Sequence, residues 1–512
     1  MEKSNKEFRS LLFLHLDGIS LLYSLFALSN TSVIKLLSNE KSINLKNQHF
    51  KKFNIGYLNV ALRILHSQGI LDYSSNNKYN LTSYGQKIFA NISQYNYFSK
   101  YIDLFTDLSN SKLTDAGWKQ YLSLIKDYKI QHKALNPTIC SKHIEGLLIS
   151  PLLVHIGLNQ ASDLDLNSNK NLDKNFNNFI YKSLYDLELT DSKNNKTLKG
   201  SFFLKRTAAY GVTVSYLPTF KQIETLFIGD PNNLWLRNKL GQETHVNRSM
   251  NVWGSGGSHK IYFQKIDEII IDIFNKDIEN QPSGIADMGC GDGSFLKHLY
   301  YLIKEKTLRG KHLSKYPLEI VGADFNQDAI DATKLNLERK GIKHKIIFGS
   351  INEPNTFAKD LKSKFNLNLS DFLSVRSFLD HNRIFEPTKP FKVNRPISES
   401  TGAYSNKGVL ISSQEITFNL INHFKKWQPY ISKFGLIILE LHTISPKLTF
   451  KNIGKTIATA YDATHGYSDQ YIVEHDVFLD SAMEAGMIPI LDYQFLFPSK
   501  DLATVSVNYF IS

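Results

Sequence analysis

The stretch Gly284-Ile285-Ala286-Asp287-Met288-Gly289-Cys290-Gly291-Asp292-Gly293-Ser294-Phe295-Leu296 constrains this chain more than any other. A short apolar run breaks into glycines at 289, 291 and 293. It then resumes as Phe295, Leu296 and Leu299 at helical spacing, which predicts strand, tight loop, helix. A loop of this kind brings the backbone close to a ligand where a Cβ would clash, and the following helix aims its first N–H groups at the same point. The spacing D-x-G-x-G-x-G differs from the dinucleotide fingerprint G-x-G-x-x-G. The acid at Asp287 opposes a pyrophosphate and suits a cationic ligand.

A second apolar strand, Leu318 to Asn326, ends in Asp324-Phe325. In a βαβ unit its acid falls beside the glycine loop and can hold a ribose; its other possible role is to cap the helix starting near Asp328. Further strands are expected at 345–349, 371–377, 434–442, 488–497 and 503–511, the last two joined by Pro498-Ser499-Lys500-Asp501 as an antiparallel hairpin at the sheet edge. The motif Asp287-x-Gly289-x-Gly291-x-Gly293 and this strand order resemble the class I S-adenosylmethionine (SAM) methyltransferases. That resemblance implies a Rossmann-like α/β core of parallel strands plus an antiparallel edge hairpin. Asp287, Gly289, Gly291 and Gly293 would cradle the methionine part of SAM and Asp324 would hold the ribose, with Cys290 and Phe325 as further cofactor-binding candidates. Gly349-Ser350-Ile351-Asn352 has serine where these enzymes commonly place an acid for the adenine amino group, and Asn352 is the substitute.

The chain has 512 residues, 42% hydrophobic and 21% charged, enough for two or three domains of ordinary soluble balance. Two cysteines, Cys140 and Cys290, exclude a disulfide framework and a Cys-rich zinc site and fit a reducing, cytoplasmic setting. Leu11 to Leu28 is apolar, but His15, Asp17 and Gly18 interrupt it and no signal-cleavage pattern follows. We read it as a buried helix, and no other stretch is expected to reach the length of a membrane span. The net charge of +12 admits a nucleic-acid partner. Its lysines, however, are scattered among asparagines with no arginine-rich block, as on a solvated surface.

Residues 30 to 92 resemble a winged helix within a mostly helical N-terminal half. A short helix at Ser32 to Leu37 precedes a second with Tyr57, Val60, Ala61, Ile64 and Leu65 on one face, stopped at Gly69. A hairpin follows through Ser74-Ser75-Asn76-Asn77, and a helix starts after Thr82. The exposed face of the second helix is expected to carry Asn59, Arg63, His66 and Gln68, poor equipment for phosphate contacts, so packing or homodimerisation is favoured over DNA binding. Residues 96 to 240 read as a helical lid or connector with polar loops at Asn167 to Asn175 and Asp191 to Lys196. The segment Glu243 to His259, containing Trp253, Gly254, Ser255, Gly256 and Gly257, can close over a ligand, with Trp253 and Gly256 as candidate cofactor contacts, or serve as a linker. The expected boundaries are 1–95, 96–250 and 251–512.

Three segments narrow the resemblance: 247–257, Ser377-Phe378-Leu379-Asp380-His381-Asn382-Arg383, and Asp462 to Tyr471. They look like the methyltransferases of apratoxin-type polyketide starter modules. This implies C-methylation of a malonyl unit on acyl carrier protein, assisted by a mononuclear metal such as iron or manganese. Read from position, Asp380 and His381 follow the fourth strand, Glu440 and His442 end the fifth, and His465 and Gln470 come after it, where ligands bind in open α/β sheets. Imidazole, carboxylate and amide oxygen suit a divalent first-row ion, with His381, His442 and Gln470 as candidate ligands. Without metal, His381 or His465 would act as general base, with Asp380 a further catalytic candidate. Two other functions stay open: a metal-independent small-molecule O-methyltransferase, and a winged-helix regulator with a SAM-sensing core.

Overall fold

The computed structural model describes the whole chain except residues 1, 75–77, 136–138, 160–173, 240 and 257–258. The Ser75–Asn77 turn, most of the Asn167–Asn175 loop and the Gly257-Ser258 end of the glycine-serine segment lie outside the described residues. The chain forms two compact units, neither contiguous in sequence. One comprises 1–258, 403–411 and 445–469; the other comprises 259–402, 412–444 and 470–512.

The first unit is mainly helical. It contains strands β1 (Ser42–Asn44), β2 (Leu71–Ser74) and β3 (Lys78–Leu81) in the antiparallel order β1-β3-β2, with helix Ile55–Ser67 ahead of the β2–β3 hairpin. Thr82 caps helix Ser83–Ala90 by accepting the Gly85 N–H, as its type predicts. The long apolar stretch is helix Glu2–Asn30, and it crosses helix Ile139–Leu158 at backbone contact. A Cβ on Gly18 would lie 2.5 Å from His143 Cα, and one on Gly146 would lie 2.4 Å from His15 Cα. Only glycine permits that approach. Both helices are long and apolar enough to cross a membrane, so Ile139–Leu158 is a second such stretch, against the expectation of one. Most of each is buried within the fold. The polar interruptions find partners there: His15 Nδ1 lies 2.9 Å from the Tyr210 hydroxyl, and Asp17 accepts from Gln68 at 3.2 Å.

The helix Ile55–Ser67 corrects one expectation. Arg63 and Gln68 are buried rather than exposed, Arg63 against Asp462 at 3.0 Å and Gln68 against Asp17 and Thr459. The face assigned to solvent is covered by helix Ala458–Gly466, which local periodicity cannot reveal.

The second unit is built on a mixed sheet. Strands β4 (Gly284–Met288), β5 (Glu319–Asp324), β6 (Lys345–Phe348) and β7 (Leu373–Ser377) are joined by helical crossovers. A small hairpin, β8 (Tyr404–Asn406) and β9 (Val409–Ile411), belongs to the first unit. The sheet continues with β10 (Leu436–Leu441), β11 (Ile488–Pro489), β12 (Phe495–Phe497) and β13 (Val505–Ile511). The order is β11-β13-β10-β7-β4-β5-β6, with β12 also on β13. Strands β10, β7, β4, β5 and β6 run parallel, and β13 is antiparallel to β10.

Every residue of β4 is buried, as befits a parallel strand covered on both faces. Ile270, Phe274, Leu296 and Leu299 pack in one apolar layer, while Phe357, Leu361, Phe372 and Trp427 pack in another. The expected strand 488–497 is broken by the turn Leu491–Tyr493; the last ladder bond before it is Ile490 N–H donating to Tyr509 O at 2.8 Å, one residue past Pro489. The edge hairpin itself forms, with Phe497 opposite Val505.

Candidate active site

Strand order reverses between β5-β6 on one side of β4 and β7-β10 on the other, which opens a crevice at the carboxyl ends of β4 and β7. The glycine loop lies there. Gly289, Gly291 and Gly293 all have positive φ, at 81°, 56° and 74°. A Cβ on Gly291 would meet nothing within 4 Å, so this backbone faces open space, whereas one on Gly289 would lie 2.8 Å from the Leu379 side chain in the loop after β7. The loop is pinned by Gly289 and Cys290 N–H groups donating to Ala323 O at 2.8 and 3.1 Å.

Asp324 accepts the Gly291 N–H at 3.0 Å, tying the second strand to the cradle. The cap of helix Gln327–Glu338 is instead Asn326, which accepts from Asp328 N. Asp287 is buried, and its Oδ1 has no hydrogen-bond partner. Burial, reinforced by the Asp324 charge, raises its carboxyl to about 8. A buried acceptor left unsatisfied beside an open glycine cradle fits a cationic ligand such as SAM, whose ammonium group would restore the ionised carboxylate. Phe325 is exposed and has an exposed neighbour in Phe348, ring centroids 6.1 Å apart. Phe348 was missed, although its place at the end of β6 after two buried isoleucines was the available signal.

The remaining cofactor candidates have the following surroundings. The Cys290 side chain is buried, with Thr333 Oγ1 at 3.6 Å; burial, with the neighbouring Asp287 and Asp324 charges, pushes its thiol up. It is a core residue, and only its backbone belongs to the loop. Asn352 Oδ1 accepts the Ile384 N–H at 2.8 Å, so that oxygen anchors the loop after β7 rather than standing ready for adenine. Trp253 and Gly256 belong to the first unit, in helix Arg248–Gly256; Trp253 fills the space beside Gly157 and Gly211. His465 is in the first unit too, its Nδ1 2.8 Å from Tyr461 O.

After β7, His381 is buried and its Nδ1 lies 2.6 Å from Glu440 Oε1, at the end of β10. The same carboxylate accepts the backbone N–H groups of His381 at 3.2 Å and Leu441 at 2.6 Å. Asn382 Nδ2 is 3.0 Å from His381 Nε2, and Gln470 donates to Asn382 Oδ1. His381, Glu440, Asn382 and Gln470 thus form one line. A carboxylate-oriented imidazole of this kind can take a proton at Nε2.

Asp380 and His442 do not join that line. Asp380 is paired with Arg376 (2.7 and 2.9 Å) and with His423 (3.0 Å), all buried. Burial would raise its carboxyl, but the Arg376 charge and the His423 hydrogen bond overcome this and bring it to about 2. It is a structural anion, not a base. His442 Nδ1 donates to Val473 O at 3.1 Å and its Nε2 accepts from Ser506 Oγ at 2.7 Å; burial drives its protonation well below the ordinary range. Both nitrogens are therefore engaged, which takes it out of the candidate ligand set. Among the described residues, no group of three or more His, Cys, Asp or Glu side chains is placed to hold a metal ion. The donors brought together are one imidazole, one carboxylate already accepting three N–H groups, and two amides, an arrangement that does not fit a built cation site.

Residues 243–508 match the family model for the AprA MT2-like domain, 8–73 the AprA N-terminal domain, and 145–230 the AprA winged helix domain. The last falls on helical segments of the first unit, not on the hairpin-bearing residues 30–92. No curated protein matches the chain. Solved structures similar to it include the SAM-dependent methyltransferase SibL in its apo form, at 10% identity and TM-score 0.37, covering 71% of this chain and 97% of that one. The DszA carbon methyltransferase has 9% identity and TM-score 0.36, covering 97% and 89%. The mitomycin 7-O-methyltransferase MmcR has 8% and 0.25, covering 97% and 95%.

Proposed function

Because the chain belongs to the AprA MT2-like methyltransferase family, we propose that it transfers a methyl group from SAM to the α-carbon of a malonyl-type acyl group on acyl carrier protein, with His381 as general base. The observation that carries the reading is the His381–Glu440 pair at the carboxyl end of the sheet that also bears the glycine loop. Bound SAM supplies an electrophilic methyl on a sulfonium. Asp287 and the 289–293 backbone would hold its methionine part, and Asp324 its ribose.

Glu440 keeps the His381 proton on Nδ1 and leaves the Nε2 lone pair for the acceptor's C–H. When Nε2 takes that proton, the C–H electron pair would attack the sulfonium methyl carbon; the new carbon–carbon bond would form as the methyl–sulfur bond breaks and its pair stays on the departing S-adenosylhomocysteine, while the Glu440 carboxylate stabilises the imidazolium. Acid–base groups of this kind contribute about 10²- to 10⁴-fold to rate.

The test is a methylation assay on malonyl-loaded carrier protein, with a phenol as competing acceptor, using parent and His381→Ala. Elemental analysis, chelation and addition of Mn²⁺ or Fe²⁺ are run in parallel. Transfer to the malonyl carbon that survives chelation and is lost in His381→Ala supports the reading. Transfer to the phenol alone moves the protein to O-methylation, and activity restored only by the ion replaces the histidine base with metal-assisted enolisation.

A further inference from the structure

The line of side chains beyond His381 has a direction. The Glu440 carboxylate receives three N–H groups, so Nδ1 of His381 carries the proton and the Nε2 lone pair points away from it. The group 3.0 Å from that lone pair is the Asn382 amide nitrogen, and Gln470 Nε2 donates to the oxygen of the same amide. With a neutral imidazole, reversing Asn382 would set its oxygen against the lone pair and its NH₂ against that of Gln470. The Asn382 amide is therefore oriented by the ring, and the Gln470 donor matches that orientation.

We infer that Asn382 and Gln470 are positioning residues for methyl transfer: a directional amide relay that holds His381 as the Nδ1–H tautomer and caps Nε2 until the acceptor displaces Asn382. The inference rests on the reading of His381 as the base. Asn382 is exposed while His381 beside it is buried, so the cap lies on the solvent side of the ring. Displacing it gives up one hydrogen bond, a cost of about fivefold in affinity. Once the acceptor's proton is on Nε2, both amides turn over: Asn382 Oδ1 accepts from Nε2–H, and its NH₂ donates to Gln470 Oε1. The relay thus satisfies the ring before and after the transfer.

Position 470 tests this with side chains that only donate or only accept. Gln470→Lys donates to Asn382 Oδ1 and keeps the direction. Gln470→Glu demands an N–H from Asn382 and turns its oxygen onto Nε2. The expected result is that Gln470→Glu loses at least about tenfold more kcat than Gln470→Lys, with KM for SAM unchanged in both. In enzyme carrying ¹⁵N-histidine, the His381 signals, assigned by their absence in His381→Gln, show the Nδ1–H tautomer in the parent and Gln470→Lys but not in Gln470→Glu. The opposite order, Glu retained and Lys inactive, is what a metal ligand at 470 would give and overturns the relay. Equal kcat with one tautomer throughout also overturns it. Should His381→Gln remain active, the base reading fails, and the tautomer spectra alone decide whether the relay exists.

Discussion

Glu440 Oε1 lies 2.6 Å from Nδ1 of His381, and the two oxygens of that carboxylate also take the main-chain N–H groups of His381 and Leu441. Three donors converge on one anion. A carboxamide at 440 would turn an N–H toward at least one of them. Glu440→Gln is therefore expected to lower kcat by roughly a hundredfold or more, while calorimetric SAM affinity stays within about twofold, because the glycine cradle is untouched. Equal losses in kcat and SAM affinity would place Glu440 in cofactor binding instead.

The raised carboxyl of Asp287 gives cofactor binding a pH dependence of known sign. In the free protein Asp287 is protonated below about 8. An ammonium group beside it favours the ionised form, so binding releases a proton. SAM affinity should rise with pH, by up to about tenfold per unit, and level off above pH 8. Titrations between pH 6 and 9 in two buffers of different ionisation enthalpy measure both the slope and the released proton. Asp287→Asn should flatten the profile.

What was readable in the sequence is what short-range periodicity records. The parallel strands, buried on both faces, read as apolar runs, and the glycines at 289, 291 and 293 adopt the backbone that their spacing requires. The edge hairpin was legible from its turn. Partnerships made by distant segments were not. Arg63 looks like a solvent-facing residue until Asp462, 399 residues away, is brought against it. Glu440 and His442 alternate onto one face of the same strand end, yet Ser506 and Val473 claim His442 and leave Glu440 to His381. Residues 403–411 and 445–469 read as part of the C-terminal core but join the first unit, since only tertiary contacts define that membership.

Asp380 carries a prediction about stability rather than rate. Its partners Arg376 and His423 are buried, and Asp380→Asn leaves the guanidinium without its counter-charge. Breaking such a pair costs about 3–5 kcal/mol. Urea unfolding should show a lower midpoint, and residual kcat in the folded fraction should stay well above that of His381→Ala. The carboxyl is depressed to about 2, so its contribution is present above its ordinary value near 3.8 and is lost as pH falls through 2.

Asp17 works in the opposite direction. It is buried on helix Glu2–Asn30, with Oδ2 accepting from Gln68 at 3.2 Å. Burial raises its carboxyl from 3.8 to about 8. A raised folded-state value means that the folded protein holds a proton which the unfolded chain has released. The contribution of Asp17 to stability is therefore greatest below about pH 4, falls as pH rises, and stops falling once pH passes 8. An asparagine can accept the same Gln68 hydrogen bond and has no proton to hold. Asp17→Asn is expected to match the parent near pH 4 and to exceed it increasingly up to pH 8, by several kcal/mol in order of magnitude. Unfolding midpoints of the two proteins at pH 5, 7 and 8.5 measure the difference, and a gap that stays constant with pH would mean that Asp17 does not titrate in this range.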